Sequence, residues 1–193
     1  MYGSHGANIT DSAYITVGTG IGAGVMSNGK CVEGLMHPES GHILVRKHVK
    51  DTYKGSCPYH GDCCEGLSSA NSIADRLNIH YSELKDLSDT HDVWDMVAYY
   101  LAQLCVSIIL ISSPQVIVIG GGVLKRRILY QLIRHYVQQL LNGYIRVDRI
   151  INNIESYIVP SRFDSDDSNT SAGIVGVLTL AHETYKQQQK TSL

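Results

Sequence analysis

The potential chemistry of this chain is concentrated between residues 37 and 65. Cys57, His60 and Cys63 follow one another at three-residue spacing, and His42 lies upstream of them. Two thiolates and two imidazoles are the donor set of a closed tetrahedral zinc site, with bonds of about 2.0–2.3 Å. The close spacing predicts a tight knuckle, so the fourth ligand must come from a separate segment. The sequence therefore predicts a zinc-binding loop over residues 37–66, with His42, Cys57, His60 and Cys63 as ligands.

Three alternatives remain open for this stretch. Cys64 could replace Cys63 as a ligand, because spacing alone does not separate two adjacent cysteines. The cysteines could also be plain core residues beside surface histidines, since free Cys is often buried and inert. A disulfide such as Cys57–Cys63 is disfavoured by the odd total of five Cys and by the expectation of a reducing compartment.

The motifs of this stretch carry a resemblance. His37-Pro-Glu-Ser-Gly-His42, followed by Cys57-Pro-Tyr-His-Gly-Asp-Cys63-Cys-Glu65-Gly, resembles the zinc-binding loop of the ROK family of bacterial sugar kinases and sugar-sensing repressors. This form of the loop is most similar to that of the family's fructokinases. The resemblance implies that Glu39 and Glu65 bind sugar hydroxyls and that His42 binds a structural zinc beside the sugar. Carboxylates suit this role, because they accept charge-assisted hydrogen bonds from hydroxyls.

Two glycine-rich segments follow predicted strands. Such segments let backbone N–H groups approach a phosphate, but each alone also fits a tight turn or close helix–strand packing. The segment 17–22 resembles the second phosphate-binding segment of ROK kinases and of the wider actin-like ATPase fold, and the segment 114–122 resembles their adenosine-binding segment. The resemblance implies that the ATP-binding residues are Thr19, Gly20, Gly120, Gly121 and Gly122.

Hydrophobic patterning predicts an α/β protein. We expect strands at 14–17, 25–26 and 116–119, the last of them buried, and a strand-like centre at 157–159 within the stretch 151–159. A hairpin turn is expected at Asn28-Gly29. Helices are expected at 66–77, 93–111, 124–141 and 171–181, with polar loops at 80–91 and 161–170. Ser68 or Ser69 can cap the first of these helices. We expect His48 and the Arg126-Arg127 pair to be solvated. Together with the resemblance, this pattern predicts an actin-like (ribonuclease H-like) lobe with a zinc-binding loop.

Composition narrows the classes of function. The chain has 193 residues, 44% of them hydrophobic, and a formal net charge of −2, which gives no electrostatic case for binding nucleic acid or a membrane surface. The longest continuous apolar runs are shorter than a membrane span. We therefore expect a cytoplasmic globular protein.

Phosphoryl transfer to a hydroxyl requires a phosphate cradle, Mg²⁺ and a base. The first phosphate loop of the family, Asp-x-Gly-Gly-Thr, is not found, and neither is the Asn-Asp pair that supplies its catalytic Asp; Asp11 lies too close to the first strand to be assigned that role. Residues 1–193 are therefore expected to correspond to the C-terminal lobe of a ROK-type kinase. The general base is expected upstream of this chain, and the catalytic residue stays unassigned.

The predicted reaction is ATP-dependent phosphorylation of a hexose, with fructose at its 6-hydroxyl as the first choice. The resemblance also implies Mg²⁺ with the ATP, a structural zinc and a homodimer. The isolated chain is expected to have little activity. An alternative is the sugar-sensing core of a ROK-type transcriptional repressor, and a third possibility is a degenerate lobe retained as an interaction protein.

Overall fold

The computed structural model of this chain describes residues 8–163, 174–179 and 181–182. Its centre is a five-stranded sheet with the order β3-β2-β1-β4-β5. The strands are β1 (Ser12–Val17), β2 (Ile21–Ser27), β3 (Lys30–Cys31), β4 (Val116–Gly120) and β5 (Ile158–Pro160). β1, β2 and β3 form an antiparallel meander, whereas β1, β4 and β5 run parallel. This mixed sheet agrees with the predicted α/β class.

Five α-helices accompany the sheet between residues 8 and 163. They are α1 (Cys64–Ser68), α2 (Ala70–Leu77), α3 (Val93–Ser112), α4 (Ile128–Leu141) and α5 (Asp148–Ile151). Short 3₁₀ turns lie at Ser40–His42, Tyr81–Asp86, Gly122–Lys125 and Ile154–Ser156. One buried cluster of apolar side chains joins the central strands to α1, α3 and α4. The sheet and its helices therefore form a continuous core, which fixes the strand ends where the site lies.

The β-hairpin was predicted correctly at its turn and less well at its strands. Asn28 and Gly29 both have positive φ, at 51° and 75°, as the central residues of a type I′ turn must. β2 begins at Ile21 rather than at residue 25, because the glycines that follow Ile21 pair with β1. The glycine-rich turn is therefore restricted to residues 18–20.

Two predicted helices are each divided in two. The predicted helix at 66–77 is interrupted at Ser69, whose backbone is extended with ψ 162°, and whose hydroxyl accepts a hydrogen bond from the N–H of Ser72 at 3.2 Å. Ser69 is thus the N-cap of α2. The predicted helix at 124–141 begins as a 3₁₀ turn, and α4 itself starts at Ile128. The expected loop at 80–91 contains the 3₁₀ turn Tyr81–Asp86.

The long helix α3 agrees with its predicted bounds within one residue. Although its continuous apolar runs are short, α3 as a whole is long and apolar enough to cross a membrane by length and composition alone. Leu101, Leu104 and Cys105 of this helix are fully buried in the protein core. Cys105 is therefore a plain core residue.

The C-terminal predictions can be compared only in part. Residues 174–179 and 181 are helical within the predicted helix at 171–181, and residue 182 is helical one position beyond it. The remainder of that helix and most of the predicted loop at 161–170 lie outside the described residues.

A buried ion pair ties the loop before the knuckle to the helices. Asp51 accepts hydrogen bonds from Arg76 of α2 at 2.9 Å and from the Tyr100 hydroxyl of α3 at 2.7 Å. The Asp51 side chain is 2% exposed. Burial acts to raise the pKa of Asp51, but the hydrogen bonds and Arg76 outweigh it and hold that pKa below its ordinary value of 3.8. His48 was expected to be solvated, but its side chain is only 10% exposed. Its Nε2 atom lies 3.5 Å from the Asp95 carboxylate.

We expect Asp51→Asn to destabilise the protein by about 3 kcal/mol at pH 7, because it leaves the Arg76 charge buried without its partner. Urea denaturation measures the free energy of unfolding of this variant. The control is Asp86→Asn, which changes an exposed carboxylate. Since the pKa of Asp51 is lowered by folding, its stabilisation is present above pH 3.8 and is lost as the pH falls through the folded value. Equal free energies of unfolding of the two variants at pH 7 would contradict the stabilising role of Asp51.

Candidate metal centre and substrate site

The four predicted ligands converge in space. The Nδ1 atom of His42 lies 3.6 Å from both the Cys57 and the Cys63 sulfur, and the Nδ1 atom of His60 lies 3.6 Å from the Cys57 sulfur. One donor atom from each of the four residues lies within 4.8 Å of every other. Two residues are buried thiols and two are imidazoles, so the cluster combines soft and borderline ligands around one point.

The spacing of these donors fits a tetrahedral zinc ion. With Zn–S bonds of about 2.3 Å and Zn–N bonds of about 2.0–2.1 Å, sulfur and nitrogen ligands of a tetrahedron lie about 3.5–3.6 Å apart. The sulfur–nitrogen separations of 3.6 Å match that edge. The residues present therefore fit the group that the sequence predicts, and zinc would be held by His42, Cys57, His60 and Cys63.

Backbone pairing explains why residues so close in sequence can surround one ion. Cys57 and Gly61 form an isolated antiparallel bridge, in which the N–H of Gly61 donates to the carbonyl of Cys57 at 2.9 Å. Gly61 has φ 66°, a conformation that favours glycine. Cys63 forms a second bridge with Leu44, two residues after His42. These two bridges fold the knuckle onto the segment that carries the distant ligand.

The two adjacent cysteines occupy different environments. The Cys63 sulfur belongs to the cluster and also accepts a hydrogen bond from the N–H of Gly66 at 3.4 Å, as the N-cap of α1. The Cys64 sulfur instead lies in the core, 3.7 Å from the Ser68 hydroxyl oxygen and 3.7 Å from the carbonyl oxygen of Tyr100. Burial raises the pKa of Cys64 to about 12. The geometry therefore favours Cys63 as the ligand.

The cluster thiols differ in their readiness to ionise. Burial acts to raise the pKa of Cys57, but hydrogen bonds from the N–H groups of His60 and Tyr59 outweigh it and lower that pKa to about 6. Burial and the neighbouring Cys57 sulfur raise the pKa of Cys63. A thiolate is the form that binds a metal. The hydrogen bonds thus favour ionisation of Cys57, and a cation bound nearby would also favour the thiolate of Cys63.

Glu65 lies beside the cluster, in the first turn of α1. Its Oε1 atom is 3.8 Å from the Nε2 atom of His42, the ring nitrogen that faces away from the thiols. Its Oε2 atom accepts a hydrogen bond from the backbone N–H of Ile21 at 2.8 Å. A Cβ atom on Gly20 would lie 2.8 Å from the same oxygen. Glu65 therefore connects the cluster to the glycine-rich turn between β1 and β2.

The 3₁₀ turn that carries His42 lies directly on β2. A Cβ atom on Gly41 would be 2.0 Å from the carbonyl oxygen of Ile21, so only glycine permits this approach. Glu39 precedes the same turn, but its carboxylate is 47% exposed and pairs with His37 at 2.7 Å. The structure thus brings His42 and Glu65 together and leaves Glu39 at the surface.

A cavity of 620 Å³ opens on the other side of the glycine-rich turn. Gly18 and Thr19 line it from the turn, Ala70 from the start of α2, and Gly122 from the turn after β4. Its volume falls within the range of small-molecule sites, about 300–1,000 Å³. Four cationic side chains and one carboxylate line the cavity. The carboxylate is Asp89, and the cations are Lys85, Lys125, Arg126 and Arg127. The cavity therefore suits an anionic ligand.

The predicted nucleotide residues divide into two groups. Thr19 and Gly122 line the cavity. Gly20 faces Glu65, whereas Gly121 packs on β1, where a Cβ atom would lie 2.5 Å from the carbonyl oxygen of Val17. Gly121 also has φ 98°, so its glycine is needed for the backbone there. Gly120 is the last residue of β4 and pairs with Thr16.

Sequence reasoning missed the residues that form the other walls of the cavity. Trp94, Asp89 and the 3₁₀ turn Tyr81–Asp86 lie there, although residues 80–91 were expected to be a loop. Arg126 was expected to be solvated, but its side chain is 12% exposed and lies over the Trp94 ring, 4.5 Å from its centre. The sequence contained two signals for these walls. One is the single Trp of the chain, and the other is the pair of adjacent arginines just after the Gly120–Gly122 run.

Asp11 is not positioned to serve as a base at this site. Its carboxylate accepts hydrogen bonds from the Thr10 hydroxyl at 2.6 Å and from the Ser27 hydroxyl and the N–H of Asn28, both at 3.1 Å. These hydrogen bonds, above all the one from Thr10, lower the pKa of Asp11. β1 separates it from the glycine-rich turn by about 20 Å, at about 3.3 Å per residue.

Comparison with known proteins decides the family. The ROK family model matches residues 2–184, which is nearly the whole chain. The chain belongs to the ROK family. It is 45% identical over 170 residues to a Bacillus subtilis protein named "Putative fructokinase", covering 88% of this chain and 54% of that protein. It is 36% identical over 178 residues to the fructokinase of Streptococcus mutans, covering 91% and 57%. This ROK chain thus spans about half the length of the curated relatives that it matches.

Solved structures of ROK proteins confirm the fold. The ROK hexokinase of Thermus thermophilus superposes with a TM-score of 0.64 at 21% identity, covering 82% of this chain and 54% of that one. A ROK glucokinase of Streptomyces griseus, solved with glucose and AMPPNP, gives a TM-score of 0.62 at 18% identity, covering 81% and 57%. The predicted actin-like ATPase lobe is therefore confirmed as the fold of this ROK chain.

We expect the purified ROK chain to contain one zinc ion, which Cys63→Ser removes and Cys64→Ser retains. Both changes replace a buried thiol, but only the Cys63 sulfur lies among the other donors. Metal content measured by mass spectrometry against protein concentration checks this. Zinc retained by Cys63→Ser and lost by Cys64→Ser would show that the neighbouring thiol is the ligand, and metal-free wild-type protein would refute the site.

Proposed function

We propose that this chain forms the sugar- and nucleotide-binding part of a ROK sugar kinase. The reaction is transfer of the γ-phosphoryl group of ATP to a hexose, with the 6-hydroxyl of fructose as the preferred acceptor. The names of the relatives at 34–45% identity support fructose, since five of them carry the fructokinase name. The chain covers only part of those proteins, so the activity is proposed for the whole enzyme.

The observation that carries the proposal is the position of the glycine-rich turn between two chemically different regions. On one side, the Glu65 carboxylate accepts a hydrogen bond from Ile21, where it could also accept from sugar hydroxyls. On the other side, Gly18 and Thr19 line the cationic cavity that suits a nucleotide. A sugar hydroxyl and a terminal phosphate would therefore meet across a single turn of the backbone.

The residues of this chain would act by positioning and by charge. The acceptor hydroxyl oxygen forms a bond to the γ-phosphorus as the bond to the β,γ-bridging oxygen breaks, so ADP leaves with that electron pair. Catalysis of this step rests chiefly on alignment and electrostatics. Glu65 would orient the sugar, and Lys85 and Lys125 would offset the charge of the phosphates. Bound Mg²⁺ would neutralise further charge on the phosphate oxygens.

The proton of the acceptor hydroxyl requires a base, and we assign none among the described residues. Asp11 accepts hydrogen bonds at the far end of β1. We therefore infer that residues 1–193 represent the C-terminal lobe of the enzyme and have little kinase activity alone. A coupled ATP–fructose assay of this polypeptide that gave ordinary turnover would contradict the inference.

Zinc would serve this enzyme structurally, with His42, Cys57, His60 and Cys63 as its ligands. All four donors are protein side chains, and a closed site of this kind leaves no position for a substrate. Zinc bound there would hold the ring of His42, and through it would orient Glu65, whose Oε1 atom lies 3.8 Å from the His42 ring. We also infer a cytoplasmic homodimer from the resemblance to the family.

A sugar-sensing repressor core is the second candidate. A ROK family transcriptional regulator shares the fold, with a TM-score of 0.53 at 17% identity over 79% of this chain and 41% of that one. That likeness concerns the fold alone. The fructokinase names occur among relatives of at least 34% identity, which favours the kinase.

We expect isothermal titration of the chain to detect fructose and an ATP analogue, and Glu65→Gln to weaken fructose binding by about tenfold or more. A hydrogen bond to a charged group contributes about 1.5–3 kcal/mol, which the substitution reduces. Glu33→Gln, at an exposed position after β3, is the matched control and should bind fructose as the wild type does. Heat signals from neither ligand would favour the interaction-protein alternative, and an unchanged dissociation constant for Glu65→Gln would remove Glu65 from the sugar site.

A further inference from the structure

The cavity beside the glycine-rich turn is formed by two walls from distant parts of the chain. One wall is the segment that joins α2 to α3, from which Tyr81, Leu84 and Lys85 line the cavity. The opposite wall is the segment from Gly122 to Arg127. None of the six residues of Tyr81–Asp86 is buried, and Leu84 is the one among them that packs against the core cluster, so core packing holds this wall only in part. The distance between the walls must therefore depend on specific contacts.

Arg126 makes those contacts. Its Nη1 atom donates to the carboxylate of Asp89, and its Nη2 atom donates to the carbonyl oxygens of Leu84 at 3.0 Å and Lys85 at 3.3 Å. Its guanidinium also lies over the ring of Trp94. A guanidinium is planar and carries five donors, so one side chain can bond and stack at once. Arg126 therefore joins its own wall to three residues of the opposite wall, Leu84, Lys85 and Asp89.

We propose that Arg126, anchored by Asp89, is a positioning residue that sets the width of the nucleotide cavity. This inference rests on the proposed function, because it takes the ligand of the cavity to be ATP. Arg126 acts by holding the Tyr81–Asp86 wall in place, in addition to contributing its charge. Without the anchor, the wall moves away and the bound nucleotide loses its contacts there.

Asp89 separates this role from a purely electrostatic one. It is the one carboxylate among the described residues that line the cavity, and its side chain is 64% exposed. Removing its charge makes the cavity more positive, so electrostatics alone predicts tighter binding of an anionic nucleotide. Loss of the anchor predicts weaker binding. Asp86 is a matched control, since it is an exposed carboxylate on the same segment and is not among the cavity-lining residues.

The test compares the 193-residue chain with its Asp89→Asn, Arg126→Lys and Asp86→Asn variants. Trp94 is the only tryptophan in the sequence and lines the cavity, so its fluorescence reports the binding of Mg²⁺-ATP directly. We expect Asp89→Asn to weaken binding about threefold to fivefold, since an exposed ion pair contributes up to about 1 kcal/mol. Arg126→Lys, which keeps the charge but loses the planar fork, should weaken it at least as much. Asp86→Asn should bind as the wild type does.

Amide hydrogen exchange of residues 81–89 without nucleotide provides the second measurement. We expect faster exchange there in Asp89→Asn and Arg126→Lys and unchanged exchange in Asp86→Asn. Equal or tighter ATP binding by Asp89→Asn, or unchanged exchange in that variant, overturns the positioning role. A wild-type chain that does not bind ATP overturns the proposed function instead, and the exchange measurement still decides whether Arg126 holds the wall.

Discussion

The arrangement of the site depends on the convergence of two thiols and two imidazoles on one point. The knuckle from Cys57 to Cys63 and the turn that carries His42 have little apolar side chain with which to hold each other. Two isolated backbone bridges align them, and the donor separations of 3.6 Å suit a metal ion. Because Cys63 is also the N-cap of α1, the position of that helix depends on the same cluster.

Glu65 connects this cluster to the rest of the site. It lies two residues after Cys63, and its two carboxylate oxygens approach different partners, His42 on one side and the N–H of Ile21 on the other. The N–H of Ala70, at the start of α2, donates to the carbonyl of Gly18 at 2.7 Å. The glycine-rich turn is thus held by α1 through a side chain and by α2 through the backbone. A rigid turn is what a phosphate-binding segment requires, since electrostatic catalysis depends on groups that are already in position.

The sequence was sufficient to predict that two thiols and two imidazoles lie together, because ligand chemistry restricts the residue types and their spacing. It also predicted the turn at Asn28-Gly29, which demands positive φ, and α3, whose apolar periodicity is long. It named Ser68 or Ser69 as a helix cap, and Ser69 is the N-cap of α2. It did not predict a separate helix α1 before that cap, because a good helix pattern continues on both sides of Ser69. It also could not choose between Cys63 and Cys64, since their difference arises only from the direction of each side chain.

The walls of the cavity were the least predictable feature. Arg126 and Asp89 are 37 residues apart, and Trp94 belongs to a third element. Such contacts depend on how α3 packs against the segment after β4, which local propensity does not specify. For Gly121 the sequence left two roles open, because a glycine after a strand suits both phosphate binding and close backbone packing. In this protein it lies against Val17.

The central claim is that the His/Cys cluster positions Glu65 against the glycine-rich turn. Amide exchange of Ile21, measured by nuclear magnetic resonance before and after removal of metal by a chelator, tests it most directly, because the Ile21 N–H donates to Glu65. The account predicts that metal removal accelerates exchange at Ile21 while the amide of Leu104, in the core of α3, remains protected. Equal protection of Ile21 with and without metal would contradict it.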